Sequence, residues 1–261
     1  MRRLVTIPIS HYCEKARWAL DRAGLDYREE RHVQGVHRFV SRRAGGSGTV
    51  PVLVAPEGVF SESEDILCYA DSGLAECERL LPADRAIRDE VIALCRRLDA
   101  RLGPDGRRLI YALMLPHKEE LMRFNNQGVP PWEARALGAL WPPARGWARR
   151  ELAIRPTTVS DDGPRVRAEF DLVAKLLSDG RPFLCGERFS AADLTFAALA
   201  AAVTVPPEYG VRLPQPDELP EPVAGELRAF REHPAGRYAL ELYRTKRPTR
   251  AVSLEPGSQR V

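Results

Sequence analysis

A chain of 261 residues with 44% apolar and 29% charged side chains has the composition of a soluble globular protein, with room for one large domain or two modest ones. Its formal charge is only +3, because acidic residues are interleaved with the many arginines, so charge gives no support to a nucleic-acid or anionic-membrane role. Cysteines at 13, 68, 77, 95 and 185 form neither a disulfide framework nor a zinc spacing, which points to a reducing cytoplasm, and the apolar run near the start is too short for a signal peptide.

The segment RLVTIPI is apolar, rich in β-branched residues and closed by a proline turn, which predicts a buried strand. A helix follows from Tyr12, with Ala16, Ala19, Leu20 and Ala23 on one face and Gly24 as its stop. LDYREERHV reads as a second strand, and the basic, glycine-rich RRAGGSG as part of a loop with room for a helical turn. TVPVLVAPEGVF is two apolar runs joined by Pro-Glu-Gly, a hairpin signal. SESEDILCYADSGLAE then restores helical spacing through Ile66, Ala70 and Leu74, and Ser61 with Glu64 has the spacing of a capping box that would open this helix. Residues 1–77 therefore read as a compact α/β unit.

LLPADR changes the texture and places a linker at residues 78–85, followed by an all-helical domain over 86–250. Ile87, Val91, Leu94, Leu98 and Leu102 predict one long amphipathic helix, and DGPRVRAEFDLVAKLLSDG a second, with Pro164 at a first helical position and Gly180 as the stop. Residues 103–160 read as irregular, because paired prolines interrupt them twice. FSAADLTF is another capping box, Ser190 with Asp193, ahead of an apolar tract too short to cross a bilayer and therefore expected as a buried helix. Residues 251–261 are polar and expected to be disordered.

Four features in a fixed order resemble the glutathione S-transferase family: SHYCEKARWAL after the first strand, then GTVPVL, SESEDI and RPFLCGERFSAADLTFAAL. The resemblance covers residues 3–77 and 181–203 and implies an α/β plus all-α protein, a thioredoxin-like amino-terminal domain followed by a helical bundle. It further implies a cytoplasmic homodimer with glutathione as co-substrate. The activity it implies is that of a detoxifying transferase that activates the glutathione thiolate for attack on a small hydrophobic electrophile, by conjugation, reductive cleavage or isomerisation. Pro51 matches the family's cis-proline, leaving Val50 to pair its backbone with the extended tripeptide. Glu62 and Ser63 match the pair that receives the zwitterionic γ-glutamyl end, where a helix start favours a carboxylate. Where the family often places Gln, Lys or His for the glycyl carboxylate, this chain has Gly48 and Thr49, so Arg42, Arg43 and His37 become the candidates.

Two residues compete for the chemistry. Ser10 matches the position from which serine-using members donate a hydrogen bond to the glutathione sulfur, at a helix start that favours negative charge. Cys13 resembles the active cysteine of some bacterial members and would make the protein a cysteine-dependent thiol oxidoreductase. Tyr12 is a third possibility, as is a noncatalytic interaction module that keeps the fold. Tyr111, Met114, Trp132 and Trp141 suit either the wall of an electrophile pocket or a packed core, whereas Arg107 and Arg108 read as solvated surface.

Overall fold

The computed structural model describes residues 1–248, so the tail expected at 251–261 lies outside the described residues. Four strands, β1 (Arg2–Thr6), β2 (Tyr27–Arg31), β3 (Val52–Ala55) and β4 (Gly58–Phe60), form one sheet in the order β2-β1-β3-β4. β1 runs parallel to β2, with Leu4 opposite Glu29, and antiparallel to β3, with Val5 opposite Val52. Leu4, Val5, Val52 and Leu53 have no exposed surface, as expected of central strands covered on both faces. The parallel pair requires a crossover, and α1 (His11–Arg22) supplies it, with Gly24 at φ +61° behind its end.

α2 (Val36–Arg43) occupies much of the stretch read as a loop. Its helical period is hard to see because Val40 alone packs from it onto Val5 and Val52, and its other side chains are polar or at least partly exposed. α3 (Ser63–Ser72) starts one residue later than the Ser61 box predicts. Its N-cap is Glu62, no side chain caps it, and Glu64 turns outward to Arg96 at 3.7 Å.

The rest of the described chain is helical: α4 (Arg85–Ala100), α5 (Leu102–Met114), α6 (Lys118–Asn125), α7 (Pro131–Ala139), α8 (Trp141–Glu151), α9 (Thr158–Leu176), α10 (Ala191–Thr204), α11 (Glu221–Glu232) and α12 (Pro234–Lys246). The single long helix expected through Leu102 breaks at Arg101, and Leu102 opens α5. The segment 103–160 is not irregular. Its paired prolines open helices, Pro131 in the first turn of α7 and Pro142 in that of α8, where a missing N–H removes no helical bond. Pro164 lies inside α9, not at its start.

α10 is buried along nearly its whole length and packs against α1, α4, α5 and α12. One continuous apolar cluster therefore runs from Leu4 and Leu20 through Trp18 and Leu98 to Phe196 and Phe230. α1 is consequently buried along most of its length, and its buried charged residues Glu14, Lys15 and Arg17 are paired internally. Lys15 binds Asp99 of α4 at 2.7 Å, Arg17 binds Glu29 at 2.7 Å, and Glu14 accepts from Arg247 at 2.8 Å and from the Gly210 amide at 3.1 Å. None of the helices among the described residues is long and apolar enough to cross a membrane.

Candidate active site

A cavity of about 350 Å³ opens where the start of α1 and the loop before β3 face α5 and the surrounding helices. The turn after β1 delivers Ser10 to its wall. Ser10 is the N-cap of α1, its backbone is extended (φ −72°, ψ 120°), and its Oγ accepts the Cys13 amide at 3.4 Å. The hydroxyl hydrogen rotates about the C–O bond, so it can turn toward an anion in the cavity, beside the positive end of the helix.

Beyond Ser10, the loop 46–50 forms the same wall through Ser47, Gly48, Thr49 and Val50. Ser41 of α2 anchors this loop: its hydroxyl donates to the Thr49 carbonyl at 2.6 Å and accepts the Gly48 amide at 3.2 Å. The Val50–Pro51 peptide is cis, and Pro51 is buried behind the wall. Gly48 has φ +106°, a backbone that favours glycine, and lies against the Arg42 guanidinium, 3.2 Å from where a Cβ would stand. Arg42 is exposed and has no ion pair among the described residues. Arg43 is likewise exposed. His37 does line the cavity, but burial, against a partial offset from its hydrogen bond with the Val33 backbone, lowers its pKa to about 4, and Nδ1 accepts the Gly35 amide.

Glu62 and Ser63 stand at the start of α3 and are not part of the cavity wall. Ser63 is buried and Glu62 exposed; partial burial and then Asp65 and Asp99 raise the Glu62 carboxyl. Cys13 has no exposed surface and does not line the cavity. Burial pushes its thiol up to about 11, against partial offsets from Arg17 and the Ser10 hydroxyl. Tyr12 lines the cavity, but its hydroxyl donates to the Asp99 carbonyl at 2.9 Å, and burial raises its pKa. Gly103 makes room for that ring, since a Cβ there would overlap the Tyr12 hydroxyl.

The opposite wall is apolar. Ile110, Met114, Leu121, Phe124, Val205 and Leu213 line it. Tyr111 is also there, held by Gln34, which donates to its hydroxyl at 2.7 Å and is itself fixed by Asn125. Of the aromatic residues singled out in the sequence, Trp132 is 60% exposed and belongs to neither wall nor core, and Trp141 lines a small adjoining recess. Trp147, on α8, takes the place in the wall.

Arg107, read from sequence as solvated surface, lines the cavity, and its Nε is buried without a hydrogen-bond partner. The signal was present: 107, 111 and 114 are spaced four and three apart, on the helix face of Tyr111 and Met114. Arg108 points away and binds Asp105 and Asp162.

Residues 4–75 match the family model described as "Glutathione S-transferase, N-terminal domain", a span that contains Ser10, the cis-proline loop and the start of α3. The amino-terminal domain belongs to the glutathione S-transferase family. The whole described chain also has the fold of solved glutathione S-transferases. The structure from Xanthobacter autotrophicus Py2 aligns over 92% of this chain and 91% of its own at 20% identity with a TM-score of 0.58. One from Methylobacillus flagellatus KT, solved with glutathione bound, aligns over 92% and 98% at 16% identity and 0.53. A glutathione transferase from Populus trichocarpa aligns over 94% and 99% at 13% identity and 0.57. No curated protein matches the sequence. Identities this low establish a shared glutathione S-transferase fold, a thioredoxin-like sheet domain joined to a helical bundle.

Proposed function

We propose that the protein is a glutathione transferase in which Ser10 stabilises the glutathione thiolate for attack on a small hydrophobic electrophile. One observation carries this reading: across a single cavity, a helix-start hydroxyl and the Thr49–Val50 edge face a wall of apolar side chains. A thiolate is the nucleophile of such a reaction, and a preorganised donor at a helix start lowers the pKa of the thiol that must supply it. In this reading Val50 pairs with the backbone of the cysteinyl unit, and Pro51 shapes that edge from behind. Glu62 and Ser63 receive the γ-glutamyl end, and Arg42, lying over Gly48 beside Thr49, receives the glycyl carboxylate.

Burial of Cys13 and the upward shift of its thiol support serine over cysteine, because a mixed disulfide needs an accessible thiolate. The free cysteines support a cytoplasmic location, and exposed Phe39 and Val59 on the first domain support pairing into a twofold homodimer, which light scattering at micromolar concentration checks.

The deciding experiment joins calorimetric titration with glutathione to a Ser10→Ala variant. Wild type should bind glutathione, and the variant should still bind it while the pKa of the bound thiol rises and turnover falls by roughly ten- to a thousandfold, the range for losing one preorganised donor. Cys13→Ala should leave turnover with an aryl halide close to wild type. No binding at millimolar glutathione, or full activity of Ser10→Ala, would contradict the proposal.

A further inference from the structure

We infer that the electrophile taken by this cavity carries an anionic group, a carboxylate on an aromatic or aliphatic body, and that Arg107 is the residue that selects it. The inference rests on the cavity being the electrophile site proposed above, and it is carried by the charge inventory of the cavity's own walls.

The cavity wall holds two arginines and one carboxylate. The carboxylate is spent: Glu151 binds Arg38 at 2.7 Å, a pair that joins α8 to α2 and closes on itself. Arg107 is left over. It has no ion pair or hydrogen bond among the described residues, and its Nε is sealed from solvent without an acceptor. The carboxylates on neighbouring turns bind elsewhere, Asp99 to Lys15 and Asp105 to Arg108.

The histidine beside it adds no second cation: burial first, and the nearby Arg107 charge second, lower the His11 pKa to about 3, so the ring is neutral at any physiological pH. Arg107 lines the cavity together with Tyr12 and Tyr111, and its charge lowers both phenol pKa values against the larger effect of burial. A guanidinium that lines the cavity with Ile110, Tyr111 and Met114, its Nε buried and no carboxylate paired with it among the described residues, is suited to receive an anion. Its planar fork matches a carboxylate in two parallel hydrogen bonds.

Glutathione also carries carboxylates, but the side of the cavity that bears Ser10, Thr49 and Val50 belongs to the first domain, whereas Arg107 projects from α5 among the apolar residues opposite. The group it meets is therefore on the second substrate. An apolar body would fill the wall formed by Met114, Leu121 and Phe124, and the anion would fix which end faces the sulfur.

The test compares a chlorodinitrobenzoate with the corresponding benzamide. In both, the thiolate sulfur bonds to the ring carbon and chloride leaves with the bonding pair, so the two differ only in charge at the remote group. Wild type should prefer the benzoate in kcat/KM, and Arg107→Gln should lower that preference by about tenfold to a hundredfold, the range for a hydrogen bond to a charged group. Arg107→Lys should keep part of the preference. Equal loss on both substrates, or a loss in glutathione affinity with the preference unchanged, would overturn the assignment.

Should the variants fail to fold, wild type decides alone. Nitrobenzoate should compete with the electrophile at least tenfold better than nitrobenzamide, and equal competition would refute the anion site. Titrating nitrobenzoate into glutathione-free protein keeps the two proposals apart. Nitrobenzoate binding in a protein that does not bind glutathione would sink the transferase reading while sparing the anion site. Glutathione binding without selectivity for the benzoate would do the reverse.

Discussion

Asp193 is the polar residue whose removal should be felt most. It is fully buried, and its carboxylate accepts four hydrogen bonds: from the Ser190 amide and hydroxyl at 2.8 Å each, from the Leu184 amide at 2.8 Å and from the Tyr238 hydroxyl at 2.6 Å. Ser190 and Asp193 alone make a capping box, whose loss is worth about 1 kcal/mol. The other two bonds reach beyond the helix start, to the turn before it and to α12. In Asp193→Ala the two hydroxyls can rotate to other acceptors, but the two buried amides cannot. At about 1 to 3 kcal/mol for each of the two stranded donors, the loss should be on the order of 2 to 6 kcal/mol. That is a large part of the roughly 5 to 15 kcal/mol that holds a typical domain folded. Asp193→Asn keeps one acceptor oxygen and turns an NH₂ against the donors on the other side, so it should lose about half as much. Urea unfolding followed by circular dichroism, with an unchanged m-value, measures both. An alanine variant within about 1 kcal/mol of wild type, or an asparagine variant as unstable as the alanine one, would refute the four-bond account.

Glu29 is buried, which disfavours its charge, but Arg17, Arg31 and a hydrogen bond from Thr6 outweigh burial and hold its pKa at about 2. A folded pKa below the unfolded one adds stability that is full above pH 4.5 and is lost as pH falls toward 2, about 3 kcal/mol in all. Glu29→Gln should flatten that limb of the stability profile, and an unchanged limb would show that other carboxylates set it. Gly103→Ala should cost about 1 to 3 kcal/mol by pushing the Tyr12 hydroxyl off the Asp99 carbonyl, visible as a lowered Tm. Ser63→Ala should weaken glutathione binding by about 1 to 3 kcal/mol in calorimetry, and an unaltered Kd would remove Ser63 from the γ-glutamyl site.

The parts of the fold that could be read in the sequence are those fixed by local chemistry. β1, the hairpin and the Ser190–Asp193 box each announce themselves within a dozen residues, and the turn that delivers Ser10 lies between two such signals. Pro51, taken as cis from the resemblance, is cis. What could not be read depends on partners distant in sequence. Ser61 has the right spacing for a cap, but α3 begins at Ser63 and the expected partner, Glu64, is drawn to Arg96 on α4. A proline pair looks the same whether it ends a helix or begins one, so Pro131 and Pro142 hid α7 and α8. Arg107 reads as surface because an arginine ordinarily is; its spacing puts it on the face of Tyr111 and Met114, but the sequence does not show that this face of α5 borders a cavity.

The helix that begins at Ser10 has consequences for inheritance. Lys15, Trp18 and Arg247 tie α1 to the second half of the chain: Lys15 to Asp99, the Trp18 ring nitrogen to the Lys246 carbonyl at 3.3 Å, and Arg247 back to Glu14 and Asp21. A first half cut away at the connection before α4 would turn a buried lysine, an indole and an unmatched glutamate toward water. Gene fragments encoding the sheet unit alone would therefore have to resurface α1 before they could travel, and an exchange of helical halves between relatives would succeed only where the incoming half brought its own matches for Lys15 and Glu14. Any such exchange is constrained in this way because one helix is interior to both halves.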